Sequence, residues 1–176
     1  ETTRVLHYHA RNLQLYGAQG IGDVGVIGLS NPIYKNYYKD ALLSLNQNQR
    51  ISLQMIHGLV ETQNAIIKEI DETSSTVRKD YRENGLTENT VKGGEHIGEL
   101  TKQGYSNGAI IKWHIDFHLK RKSDPDLSPE TEDHEMYLKY LDSVVKEMNK
   151  TIESGKTVPR EKFEQIYNEN QFRPRP

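Results

Sequence analysis

The chain has 176 residues and a mass of 20.3 kDa, and its 23 Lys and Arg against 25 Asp and Glu leave a formal net charge of -2. That balance excludes a global basic field demanding nucleic acid, and the lack of cysteine excludes disulfides and thiolate metal sites. Apolar content of 34% and a mean hydropathy of -0.81 are low for a compact globule, so the chain reads as one helix-rich, partly elongated domain or one that buries surface against a partner. Nothing approaches eighteen consecutive apolar residues, so no membrane span is expected. Glu1 starts the chain without methionine or signal peptide, which reads as a processed form or an excised fragment, secreted or virion-associated.

Residues 4–10 read as a short strand, on which His7-Tyr8-His9 superficially matches the metal-holding pair of rolling-circle nucleases. Next, Gly20-Ile21-Gly22-Asp23-Val24-Gly25 satisfies G-x-G-x-x-G, but no buried strand precedes it and no helix opens on it, so a dinucleotide site is rejected. An apolar surface loop fits better. Together with Asn31-Pro32-Ile33-Tyr34-Lys35-Asn36-Tyr37-Tyr38, this glycine-rich stretch resembles that of minor pilus-tip proteins of type IV secretion over about twenty residues. No function is carried over from it.

Asn31 and Pro32 open a helical pattern running to about Asn84, with a possible interruption at Asn46-Gln47-Asn48-Gln49. Leu42, Leu45, Gln49, Ser52, Ile56, Leu59, Gln63, Ile66, Ile70, Thr73 and Val77 follow an unbroken 3-4 spacing. Such a seam packs against another helix, and its polar members favour packing within the chain. Arg50 and His57 have the spacing of one class of helical ribonucleases, a pairing read as incidental. Asn84-Gly85 ends the helix, 85–94 is a polar connector, 95–102 is a strand with Gly98 as a bulge, and 103–108 is a hairpin loop.

The second arm of that hairpin is the stretch 110–120. Ile111, Trp113, Ile115, Phe117 and Leu119 alternate with Lys112, His114, Asp116, His118 and Lys120, the signature of a half-buried strand. Wound as a helix, its apolar residues would leave no polar face. Beyond it, Ser128-Pro129-Glu130 caps a helix with Tyr137, Leu138, Leu141, Val144, Val145, Met148 and Ile152 on one face, stopped by Gly155. A short helix after Pro159 and a mobile tail at 170–176 close the chain.

The strand reading puts His114, Asp116 and His118 in one outward row, about 6.5–7 Å apart. Two imidazoles and a carboxylate supply an acid, a base and an orienting group near neutral pH, with His96 joining from the facing arm. Lys112, Lys120, Arg121 and Lys122 would bear on a phosphodiester and Tyr105 would stack on a base. The same His114, Asp116 and His118 are a lesser option as ligands of a divalent metal, with His134 and Glu135 as further donors; otherwise no cofactor is expected. An inert, solvated edge is the plainest account of the row.

The sequence therefore predicts an α+β domain: a glycine-rich arm at 1–30, a long helix or helical hairpin at 31–84, a small antiparallel β-hairpin at 95–120 and two helices within 129–169. Its function reads as a small phosphodiesterase, a ribonuclease domain of a secreted or delivered bacterial toxin with RNA as substrate. The alternative is a non-enzymatic helical assembly or adhesion module of a secretion apparatus or virion, meeting a protein partner through the 42–77 seam or the glycine-rich loop.

Overall fold

The computed structural model describes residues 1–21, 28–30, 36, 40, 42–121 and 123–157. Among the described residues four helices carry the fold, α1 (Thr2–Gly17), α2 (Gln47–Asn84), α3 (Glu88–Arg121) and α4 (Glu132–Lys156), with a 3-10 turn at Leu42–Ser44. No strand occurs among the described residues, so the expected α+β class is overturned and the molecule is an all-helical bundle. Both strands of the expected 95–120 hairpin, and its loop, lie inside α3, and the strand expected at 4–10 lies inside α1. The expected connector at 85–94 shortens to the turn 85–87. The glycine-rich segment 22–27 and the helix and tail expected after Pro159 lie outside the described residues.

The alternation at 110–120 misled because α3 is packed on several sides at once. A helix at the surface needs a polar stripe, but one at the centre of a bundle can spread apolar residues around most of its circumference. Contacts along α3 show this arrangement. Tyr16, His9 and Leu6 of α1 meet Gly98, Gly104 and Gly108 in turn, so α1 runs antiparallel to α3. Val77, Leu59 and Ser52 of α2 meet Gly93, Asn107 and His118. Tyr137 and Tyr140 of α4 meet Trp113 and the Ala109 carbonyl. Helices α1, α2 and α4 thus all run opposite to α3, which is their common partner.

The ends of the helices are set locally. Asn46 accepts from the Gln49 N–H at 2.8 Å while Gln49 Oε1 accepts from the Asn46 N–H at 3.1 Å, a reciprocal cap that starts α2 at the predicted interruption. Gly85, at φ 72°, closes α2 as predicted, in a left-handed conformation that an L side chain resists. Thr87 and Thr90 exchange backbone-to-hydroxyl bonds of 2.8 and 3.2 Å at the start of α3. Thr131, three residues later than the predicted cap at Ser128, accepts from the His134 N–H at 3.2 Å. Glu132, Asp133 and Glu135 follow in the first turn of α4, where the helix dipole favours acids.

The core has two apolar clusters: Val5, Leu29, Val60, Ile67 and Ile111, and then Ile66, Ile70, Val77, Ile97 and Leu100. Each such side chain contributes about 1.5–3 kcal/mol on burial. The predicted seam of α2 faces inward, with Ser52, Gln63, Ile66, Ile70 and Val77 all buried. The chain's own α1 and α3 therefore cover the part of the seam from Ser52 to Val77 that the sequence offered to a partner. Crossing points are close where a side chain is missing. Gly104 lies under the His9 ring, Gly98 under Tyr16, and Gly17 of α1 and Gly155 of α4 bring those two backbones together.

Helix α2 is about 57 Å long and α3 about 51 Å, against about 24 Å for α1. The turn that joins α2 to α3 forms one tip of their hairpin, about 15 Å along α3 from the Gly98–Tyr16 contact with α1. Tyr81 (50% exposed), Leu86 (78%) and Val91 (46%) lie on this tip.

Candidate functional site

Winding 110–120 as a helix redistributes every residue of the expected catalytic row. Residues two apart now point about 200° away from each other, and residues four apart share a face. His114 and His118 therefore stay together one turn apart, while Asp116 leaves them. It pairs instead with Lys112, four residues back on the same face.

His114 was expected to face solvent and is 1% exposed. Its ring packs at 5.0 Å from Trp113 and 5.9 Å from Tyr137 of α4, and Nδ1 has no hydrogen-bond partner among the described residues. Burial, followed by the neighbouring His118, pushes its pKa down to about 4, which keeps it neutral. Trp113, on the apolar face expected to turn toward the core, is partly buried and packs at a tilt against Phe117 and Tyr137.

His118 stands apart from the rest of the row. Ser52 Oγ lies 2.7 Å from its Nε2, and Asp124 Oδ1 lies 3.3 Å from its Nδ1. A serine 66 positions upstream and a carboxylate in the loop after α3 thus address the two nitrogens of one imidazole. Among the described residues Asp124 Oδ1 has no hydrogen-bond partner, so it stands near Nδ1 without bonding it, while Nε2 can accept from the Ser52 hydroxyl when the ring proton is on Nδ1. Ser52 and the Asp124 side chain are both nearly enclosed, at 4% and 9% exposure. The ring of His118 is the open side, at 27%.

The remaining predicted residues do not gather there. His96 is on an exposed turn of α3 beside Glu69 at 3.0 Å, about 27 Å along the axis from His114. Arg121 bonds Asp133 at 3.1 Å and lies over the Phe117 ring, Lys120 is exposed, Tyr105 is partly buried, and Lys122 lies outside the described residues. Among the described residues, no three His, Asp or Glu side chains are grouped to hold a metal ion. The ion site imagined at His114, Asp116 and His118 is undone by the same 200° rotation. His7 and His9 diverge likewise, His7 exposed and His9 at 0%.

A polar layer that the sequence reading missed crosses the middle of the bundle. Gln63 Nε2 donates to His9 Nε2 at 2.6 Å, and Asn107 donates to Gln63 Oε1 at 3.0 Å and to the Leu59 carbonyl at 2.8 Å. With an amide N–H aimed at Nε2, a protonated imidazole would set donor against donor. Burial pushes the His9 pKa down to about 4. Seen as a helix, Val5, His9, Asn12 and Leu13 form one inward stripe, which is the signal that would have found this layer.

Comparison with protein-family models, curated proteins and solved structures finds no match to the chain. No helix among the described residues is long and apolar enough to cross a membrane.

Proposed function

We propose that the chain is a helical assembly module, associating with a second copy through the tip of its α2–α3 hairpin. The observation that carries this reading is the trio Tyr81, Leu86 and Val91, all exposed around the turn between α2 and α3. Exposed apolar side chains clustered at one end of an elongated scaffold are a contact surface more often than isolated ones. Around them Arg82 and Lys92 alternate with Glu83 and Glu88, so a two-fold pairing can set each sign against its opposite.

The geometry favours this over a phosphodiesterase built on 110–120, since His114 is inside and Asp116 is paired elsewhere. The tip is small, so association in the range of about 0.1–1 mM is expected. Light scattering from about 10 µM to 1 mM should show the mass rising from 20.3 kDa toward twice that value. The Tyr81→Ser/Leu86→Ser/Val91→Ser variant should keep its helical circular dichroism and remain a monomer. A wild-type chain that stays monomeric at the highest concentration overturns the proposal. RNA incubated with the chain should remain intact; cleavage lost in His114→Ala/His118→Ala would restore the nuclease reading.

A further inference from the structure

We propose that Ser52 is an acyl-accepting nucleophile, with His118 as its general base and Asp124 as the group that orients the imidazole. The inference is independent of the hairpin tip. A hydroxyl within hydrogen-bond reach of an imidazole whose other nitrogen faces a carboxylate is the arrangement that activates serine on unrelated folds. Here Ser52 Oγ is hydrogen-bonded to Nε2 at 2.7 Å, and Asp124 Oδ1, a buried acceptor with no hydrogen-bond partner among the described residues, lies 3.3 Å from Nδ1, where a small turn of the ring would engage it. The three residues come from α2, α3 and the loop after α3.

Three features of the surroundings favour the charge that the step creates. His118 lies in the last turn of α3, where unpaired carbonyls stabilise an imidazolium. Arg121, the nearest guanidinium in sequence, is neutralised by Asp133 at 3.1 Å. Asp124 is nearly enclosed, so its attraction for the imidazolium is weakly screened.

In the reaction, Nε2 takes the Ser52 proton as Oγ bonds to the acyl carbon of an ester and the carbonyl electron pair moves onto oxygen. Collapse breaks the bond to the leaving alcohol, which takes the proton back from Nε2. A water then attacks the acyl-serine, giving its proton to Nε2, and release of the acid returns that proton to Ser52. The sum is ester plus water to acid plus alcohol.

Burial limits substrate and rate. With Ser52 at 4% exposure, only a small acyl group approaching over the open edge of His118 reaches Oγ. Ser52 is the sixth residue of α2, so its own N–H is engaged within the helix and cannot hold an oxyanion. One missing oxyanion donor costs about 10²–10³ in rate. The expected behaviour is stoichiometric acylation followed by slow turnover of small esters.

The test uses the whole chain with p-nitrophenyl acetate and, separately, a small organofluorophosphate. A burst of about one p-nitrophenolate per chain should precede a slow steady phase, and tandem mass spectrometry should place the organophosphate on Ser52. Ser52→Ala should abolish both. Asp124→Asn should keep the adduct but slow the burst by at least tenfold and alter its pH profile, which a purely structural tie between helices would not do. Folding of each variant is checked by circular dichroism, and the wild-type adduct needs no variant at all. Absence of an adduct on Ser52, or a burst unchanged in Ser52→Ala, overturns the proposal.

Discussion

Acid should loosen this bundle through two particular histidines. His9 and His114 are 0% and 1% exposed and burial holds each near pKa 4, against an ordinary value of 6.5. A lowered folded-state pKa means that the unfolded chain binds the proton first. Their stabilising contribution is therefore complete above pH 6.5 and lost as pH falls from there to 4. A shift of about 2.5 units at about 1.36 kcal/mol per unit gives about 3.4 kcal/mol for each ring once both states are protonated. At pH 5 the loss is about 2 kcal/mol per ring, or about 4 kcal/mol together. That is a large share of the roughly 5–15 kcal/mol typical of a domain. Urea unfolding followed by circular dichroism at pH 7.5 and pH 5 measures the difference directly. In His114→Leu the loss should fall to about 2 kcal/mol, and in His9→Leu/Gln63→Leu/His114→Leu it should nearly vanish. Equal stability at the two pH values would refute the reasoning, as would a loss unchanged in the triple variant, which would assign it to carboxylates instead.

Two further substitutions probe the packing. Gly104→Ala would drive a methyl into the His9 ring, which is fenced by Gln63, so thermal or urea unfolding should show a loss of about 1–3 kcal/mol. Gln63→Leu strands the buried Nε2 of His9 and should cost about 1–3 kcal/mol, whereas His9→Leu/Gln63→Leu removes both partners and should recover much of it in a double-mutant cycle.

The parts of the fold legible in the sequence were those whose inward residues are apolar or whose ends are marked by caps. The α2 seam from Ser52 to Val77 and its stop at Gly85 follow directly from spacing. On the predicted face of α4, by contrast, Val144 is buried but Leu138 and Val145 are exposed, and Gly155, expected as the stop, lies inside the helix. What failed were the helices with polar or absent side chains on their buried faces. In α1 the stripe passes through His9 and Asn12, so counting apolar residues alone left only the fragment Val5-Leu6 and suggested a strand. In α3 the contact face toward α1 is Gly98, Thr101, Gly104 and Gly108, which reads as turns and bulges until another helix is laid on it. The apolar alternation from Ile111 to Leu119 then stood out by default, although Leu119 is 73% exposed and His114 is inside. Of the candidate site, His118 was legible as an imidazole near neutral chemistry. Its partners were not, because Ser52 read only as a polar member of the α2 seam and Asp124 falls between the predicted elements. Neither spacing nor composition connects residues 52, 118 and 124; only the antiparallel register of α2 on α3 does.

The central claim is that residues 97–117 form the helix around which the other three pack, with His114 turned inward. Amide hydrogen exchange with NMR assignment tests it residue by residue. The backbone amides of this stretch should be among the slowest to exchange and should show sequential and i to i+3 contacts of a helix throughout. Cross-strand contacts between 95–102 and 110–120, or exchange there as fast as at the chain ends, would contradict it.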